Sequence, residues 1–321
     1  MSRAGLLMLA VVLGACRTQP GGQAPSLNNV KNVAHVVSVF GPAMGAEVIG
    51  GRADDTDEVL LLAGGTDLVR VGMSSRRVVR VSLRIGPGAE CWNLARRADG
   101  SLWTLKGRRT LARIARDGAI VQETPLAEPH FGLFAVADRL LFQRADFAPP
   151  VPALLAGVPG DASRSPWSTI VTRTFPSLAR ASVAALNMIT CGPTEATERA
   201  CWFPDEPVVS FVKEDGTTRR VVLAGLETVP PETLLTADNP RRPVRDAYVD
   251  AAGELWVLST GEPPPGSADV PGGWMLGRYA ANGTPKGLAR LSNAARLILR
   301  VDARNVLVLM STGMVGQVAR W

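Results

Sequence analysis

The stretch Cys91–Leu126, CWNLARRADGSLWTLKGRRTLARIARDGAIVQETPL, decides how the rest of the chain is read. Asp99-Gly100 divides two short apolar runs, and Asp117-Gly118 divides two more. In an Asp-Gly turn the glycine supplies the φ > 0 position and the aspartate side chain bonds back to the backbone. The stretch therefore reads as four short strands joined by tight turns. Val244–Leu291 is a second copy. Leu102-Trp103 follow Gly100 as Leu255-Trp256 follow Gly253, and Asn282-Gly283 stand where Asp117-Gly118 stood. The paired glycines lie 18 residues apart in the first copy (118 − 100) and 30 in the second (283 − 253), so the later copy carries 12 extra residues, at about Thr260–Gly273.

A four-stranded unit repeated along 321 residues points to a propeller. Working outward, Glu47–Leu83 reads as a first blade and Cys91–Leu126 as the second. The third begins at Pro129-His130-Phe131-Gly132 and runs through Leu140–Arg144. Its outer half is blurred by the Pro-rich Ala148–Pro166, with Ile170–Phe175 as the expected last strand. The fourth holds Ala184–Cys191, Ala200–Phe203, Val208–Lys213 and Arg219–Leu223; a Pro-rich connection, Gly225–Pro243, leads to the fifth. The final block, Leu297–Asp302, Val306–Met310 and Gln317–Trp321, supplies only three strands. A ring must close to avoid a bare edge, and His35–Phe40 is the natural fourth strand. The expected fold is thus an all-β, six-bladed β-propeller over 33–321, its last blade closed by an N-terminal strand. Two packed β-sheets compete with this reading, and the repeated Asp-Gly and Leu-Trp pairs argue against them.

Hydrophobic residues at 46% allow a sizeable core, which excludes a globally disordered chain. The formal charge of +6 is almost wholly arginine, since only Lys31, Lys106, Lys213 and Lys286 are lysines. Arginine pairs at 76–77, 96–97, 108–109, 219–220 and 241–242 are scattered, as on a solvated β surface; massed, they would mark an anion-facing patch. Nucleic-acid binding has no aromatic-basic platform to support it. The sequence contains no G-x-S-x-G, no G-x-x-x-x-G-K-[ST], no H-E-x-x-H and no G-x-G-x-x-G.

At the N-terminus, Arg3 and the apolar Ala4–Leu13 form a targeting segment about half the length needed to span a bilayer. Leu13-Gly14-Ala15-Cys16 resembles the lipobox of bacterial lipoprotein signals. That resemblance implies removal of 1–15, lipidation of Cys16 and anchoring to a membrane; Arg17 in place of Asp implies the outer membrane of a Gram-negative envelope, on its periplasmic face. Residues 16–32, rich in Gly, Pro, Gln and Ser, read as a flexible tether. With Cys16 assigned to lipid, Cys91, Cys191 and Cys201 remain. In an oxidising compartment a Cys191–Cys201 bridge across one hairpin is expected, and Cys91 is then an odd thiol buried at the start of an inner strand. Trp103, Trp202 and Trp256 fall where bulk suits the wedge between blades, and His35 lies on an outer strand as a structural residue.

PHFGLFAVADRLLF at 129–142, RRADGSLWTL at 96–105 and DAAGELWVL at 250–258 resemble the repeats of NHL, streptogramin-lyase and gluconolactonase-like six-bladed propellers. The likeness to gluconolactonases implies a divalent cation such as calcium held by Glu47, Asn187 and Asp246, which could polarise a lactone carbonyl or activate water. The family's Asn-Gly and Asp-Gly pairs are Asn187-Met188 and Asp246-Ala247 here. The likeness to streptogramin lyases implies a histidine at the channel, and His130 is the one available. The preferred reading has no cofactor and no catalytic residue: a lipid-anchored envelope scaffold that binds a protein or carbohydrate partner. Its expected site is the concave face lined by inner-strand starts, with Glu47, Trp92, Asn93, His130, Asn187, Arg245, Asp246 and Arg296 as candidates. The Thr260–Gly273 insertion is the expected protein-contact loop.

Overall fold

The computed structural model describes residues 33–34, 36–40, 49–54, 57–144, 151–157, 165–192, 198–236, 241–261 and 272–321. Cys16, His35, Glu47 and residues 262–271 of the expected contact loop lie outside them.

The protein is an all-β β-propeller. Two strands open it, β1 (Val33–Ala34) and β2 (Val36–Phe40). Then follow β3 (Ile49–Asp54), β4 (Glu58–Ala63), β5 (Asp67–Gly72) and β6 (Val78–Ser82), which pair in order as an antiparallel sheet. β7 (Cys91–Arg96), β8 (Leu102–Lys106), β9 (Thr110–Ile114) and β10 (Ile120–Pro125) form the second sheet. The third is β11 (His130–Val136), β12 (Arg139–Arg144), β13 (Leu154–Gly157) and β14 (Ser165–Pro166). The helix α1 (Arg180–Leu186) precedes a fourth sheet of β15 (Thr190–Cys191), β16 (Arg199–Trp202), β17 (Val208–Val212) and β18 (Thr218–Val222). After a second short helix, α2 (Pro231–Thr236), come β19 (Asp246–Val249), β20 (Leu255–Ser259), β21 (Gly273–Tyr279), β22 (Pro285–Val301), β23 (Asn305–Met310) and β24 (Val315–Ala319).

The Asp-Gly signals do what turn chemistry requires. Ser101, Ala119 and Thr217 donate their backbone N–H to Asp99, Asp117 and Asp215, at 2.9, 3.1 and 2.9 Å, and Thr284 donates to Asn282 at 3.1 Å. Three of the turn glycines also make close approaches between sheets. A Cβ on Gly118 would lie 2.5 Å from the Ser82 carbonyl oxygen, one on Gly216 2.3 Å from that of Trp167, and one on Gly283 2.1 Å from that of Val222. Each repeat's outer turn thus rests on the last strand, or its extension, of the repeat before it.

The apolar core explains why the inner strands read as continuous hydrophobic runs. In β4, Val59, Leu61 and Ala63 pack with Leu299, Leu307, Leu309 and Val315 from the C-terminal end, while Leu60 and Leu62 point the other way, toward Cys91, Leu94 and Leu102. Alternate side chains of a strand leave opposite faces, and both faces are buried. The same division recurs around the molecule. β7 and β8 pack on β11 and β12 through Trp103, Leu105 and Phe142. Leu141, Leu154 and Phe203 join the third and fourth sheets, and Trp202, Phe211, Val257 and Tyr279 join the fourth to β19–β21. Trp256, Leu258, Ile298 and Val308 connect β20 to β22 and β23. Trp103 and Trp256 are wedge residues in these layers. At ~1.5–3 kcal/mol for each fully buried large aliphatic or aromatic side chain, these layers hold the ring together.

Four expectations need correction. The hydrogen-bonded sheets number five among the described residues, not six. β22 is the reason: one 17-residue strand pairs with β21 through Pro285–Ala295 and with β23 through Ala295–Val301. No Gly or Pro interrupts Leu288–Val301, so the chain passes between repeats without leaving the extended conformation. The result is an eight-stranded sheet ordered β19-β20-β21-β22-β23-β24-β2, with β1 parallel to β22. Ala184–Cys191 is not a strand throughout, because α1 occupies its first part; RASVAAL contains three helix-favouring alanines and buries Val183 and Leu186 three apart. Ile170–Phe175 is not the outer strand of the third sheet, which is β14; Val171 instead makes one isolated bridge to Pro152. Finally, the Pro-rich connection contains α2, begun by Pro231 at its first helical position. The expected closure is present: β2 pairs antiparallel with β24, Val36 opposite Val318 and Phe40 opposite Val315. Among the described residues no helix is long and apolar enough to cross a membrane.

Candidate functional site

β7 carries Trp92 and Asn93 at its second and third positions, and there its register with β8 shifts. Asn93 adopts φ 60° within this bulge. The left-handed region is costly for most side chains and more tolerable for Asn. Thr104 holds the bulge, its hydroxyl lying 2.7 Å from the Asn93 carbonyl and 3.3 Å from that of Trp92. The Asn93 Oδ1 is buried and accepts no hydrogen bond.

The β8–β9 hairpin turns through Gly107 and Arg108, with φ 57° and 64°. Lys106 pairs with Thr110, so the loop is the three residues Gly107–Arg109, and the two positive φ values let it reverse the chain tightly. The turn places the Arg108 guanidinium between two rings, 4.3 Å from the centre of Trp92 and 4.4 Å from that of Phe131. The His130 N–H donates to the Arg108 carbonyl at 3.0 Å and fixes the turn against β11. All three stacked side chains are half-buried. Such a cation–π pair contributes ~0.5–1 kcal/mol where exposed and more where water is excluded.

From His130 a polar chain runs into the next repeat. Its buried ring lies 5.1 Å from that of Phe142, and its Nδ1 is 3.3 Å from the Gln143 carbonyl. The Gln143 Nε2 donates to the Asn187 carbonyl at 3.0 Å. Asn187, fully buried at the C-terminal end of α1, donates from Nδ2 to the Arg173 carbonyl at 2.8 Å and accepts from the Arg173 N–H at 2.7 Å. Arg173 in turn grips Asp205 with two bonds of 2.8 Å and Glu206 with one, and its guanidinium covers Phe203. The structure therefore connects Trp92, Asn93, His130 and Asn187 in one network.

Arg245, Asp246 and Arg296 form a second group. The buried Asp246 accepts the Ile298 N–H on Oδ2 at 2.6 Å, tying β19 to β22. Burial, then the charge of Arg242, push the Arg245 guanidinium below its ordinary pKa; Asp246 acts against this and Arg296 adds to it. Of the expected metal ligands, Glu47 lies outside the described residues, while Asn187 and Asp246 both hold main chain. Among the described residues no group of three or more His, Cys, Asp or Glu is placed to hold a metal ion.

Cys191 and Cys201 sit opposite one another in β15 and β16 and are joined by a disulfide. Cys91 is buried, and that burial raises its thiol pKa, with the Thr104 hydrogen bond acting against it. Sequence reading missed Arg108, Phe131, Gln143 and Arg173. Only the first left a signal, the Gly107-Arg108 pair between two apolar runs, which has the form of a hairpin loop.

No protein-family model and no curated protein matches the sequence. Solved structures do match. A member of the DUF4221 family from Bacteroides vulgatus superposes with a TM-score of 0.57 at 10% identity, over 92% of this chain and 99% of that one. A catalytically inactive variant of virginiamycin B lyase from Staphylococcus aureus, solved with quinupristin, gives 0.51 at 12% identity, over 88% and 99%. The selenomethionine-substituted lyase from that organism gives 0.50 at 12%, over 88% and 98%. At these identities the likeness establishes the β-propeller fold and nothing narrower.

Proposed function

We propose that this chain is a lipid-anchored, six-bladed binding module of the bacterial envelope. Its site is the aromatic–arginine surface at the start of β7 and β11, and its partner is an envelope protein or carbohydrate. The observation that carries a binding role over a catalytic one is where the polar side chains are spent. Asn187 is bonded on both amide atoms to the Arg173 main chain, and Asp246 caps the Ile298 N–H. What stays half-exposed is Trp92, Arg108 and Phe131, a rigid stack of the residue types that anchor interfaces.

Six blades follow if β22 serves two of them, as outer strand of one and inner strand of the next. The apolar clusters support this, since they link β4 to β7, β7 to β11, and so on round to β23 and β4. Envelope location is supported by the lipobox-like Leu13–Cys16 and by a disulfide that suits an oxidising compartment.

The test is co-purification from membranes with the Cys16 anchor intact. The wild-type chain is expected to retain a partner that Trp92→Ala and Arg108→Ala lose, whereas Asn187→Ala affects folding and not partner choice. Calcium-dependent lactone hydrolysis by the wild type, lost in Asp246→Asn, would replace this reading with a hydrolase.

A further inference from the structure

Away from the stack, a cavity of about 250 Å³ opens between the β18–β19 connection, which carries α2, and β20–β22. Arg241, Arg242 and Arg290 line it, and Glu227 is the one acidic lining residue among the described residues. Its apolar lining includes Leu226, Val229 and Met275. The volume is a little below the ~300–1,000 Å³ of pockets that hold drug-sized molecules, so it suits a small one.

Two of these cations, Arg242 and Arg290, have no carboxylate partner among the described residues. Arg290 leaves β22 between β1 and β21, opposite Val33 and Met275. Its Nε–H is buried and donates to no acceptor, as is that of neighbouring Arg245. No carboxylate of the described residues is ion-paired with Arg242, Arg245 or Arg290. An unsatisfied buried donor is destabilising, and more so when the group is charged. Positive side chains without a carboxylate partner favour an anion in the cavity they line. Thr260 adds a hydroxyl at the same wall, accepting the Arg242 N–H at 3.1 Å and keeping its own O–H to donate.

We infer that this cavity binds a small amphipathic anion, a carboxylate or phosphate monoester carrying a short apolar chain. The anionic oxygens accept from the guanidinium groups of Arg242 and Arg290 and from the Thr260 hydroxyl, and the chain lies against Leu226, Val229 and Met275. Charge-assisted, multidentate bonds of this kind are what arginine provides and a point charge does not. The inference is independent of the stack at β7 and β11 and of the chain's location.

Calorimetric titration of the full chain in phosphatidylcholine nanodiscs, with empty nanodiscs as the blank, tests it. Octanoate and octyl phosphate are expected to bind saturably and to weaken as ionic strength rises. Octanol and inorganic phosphate are expected to bind at least about tenfold more weakly, each lacking half of the recognised chemistry. Arg290→Gln should cost about tenfold or more in affinity. Thr233→Glu, on the exposed face of α2 at the cavity wall, should lose the ligand while keeping the unfolding temperature, because it places a carboxylate beside the arginines. If Arg290→Gln fails to fold, Thr233→Glu decides. Octyl phosphate binding no tighter than inorganic phosphate would overturn the amphipathic site, and so would wild-type affinity in Thr233→Glu or no saturable heat from either amphiphile.

Discussion

Glycine is the residue on which the repeat depends, for two separable reasons. Gly253 and Gly283 both adopt positive φ, 74° and 85°. A Cβ on Gly253 meets nothing within 4 Å, whereas one on Gly283 would be driven against the Val222 carbonyl oxygen. Gly253→Ala should therefore cost only the left-handed conformation, ~1–2 kcal/mol. Gly283→Ala should cost clearly more, because the backbone of the neighbouring sheet must shift as well. Thermal unfolding of the two variants compares them directly, and equal midpoints would remove the close approach from the argument. The Asp-Gly signal itself was legible in the sequence, as a turn. Its second role was not, since Val222 lies 61 residues from Gly283 (283 − 222) and no local pattern announces the contact. The same distance hid the candidate site. Asn187 and Asp246 have the chemistry of ligands, but their partners, Arg173 and Ile298, are 14 and 52 residues away.

At the scale of elements, the end of the chain is clasped onto β20–β22 by an ionic cluster around two tryptophans in edge-on contact. Arg320 reaches Asp250 at 2.9 Å and Glu254 at 3.1 Å, and Arg278 bonds both Glu254 and the Trp321 carbonyl. The Trp321 ring meets that of Trp256 edge-on, 5.5 Å between centres. The Arg278 hydrogen bonds, with Lys286 adding to them against the cost of burial, hold Glu254 at a pKa of about 2 instead of 4.5. Because the folded value is depressed, this stabilisation is complete above the unfolded pKa near 4.5 and disappears as pH falls toward 2. Wild type should therefore unfold at a higher temperature than Glu254→Gln at neutral pH, and the gap should close on acidification. A gap that persisted unchanged at the acid end would mean that the side chain acts through packing and not charge. Element boundaries were legible where apolar runs and turn residues alternate cleanly, as from β4 through β12. They were not legible at α1, whose alanines accept helix or strand, nor along β22, where the expected fifth repeat stops at Leu291 and the final block starts at Leu297. There the backbone stays extended: Ser292 lies within β22 and its hydroxyl accepts the Val36 N–H at 3.3 Å.

For the whole molecule the decisive feature is that the ring is closed by hydrogen bonds between β2 and β24 and not by a covalent link between those strands. β2 contributes four residue pairs to β24, and β24 in turn pairs with β23, which supports the cluster of Leu307, Leu309 and Val315 against Val59 and Leu61. Without β2, β24 becomes an exposed edge, with unpaired main-chain groups and an invitation to pair with another copy. Removing residues up to Phe40 should lower the unfolding temperature. It should also speed amide exchange in β24 and β23 more than in β8 and β9, which lie in the second sheet, where nothing changes. It should raise the tendency to self-associate. Local opening energies vary across a fold, so the comparison between sheets, and not the global midpoint alone, carries the conclusion. If exchange rose uniformly, the propeller would be one cooperative unit whose closure is not confined to its last strand. If β24 stayed as protected as before, the pairing of β2 with β24 would contribute nothing to holding the ring, and the cluster joining β4 to β23 would have to close it alone.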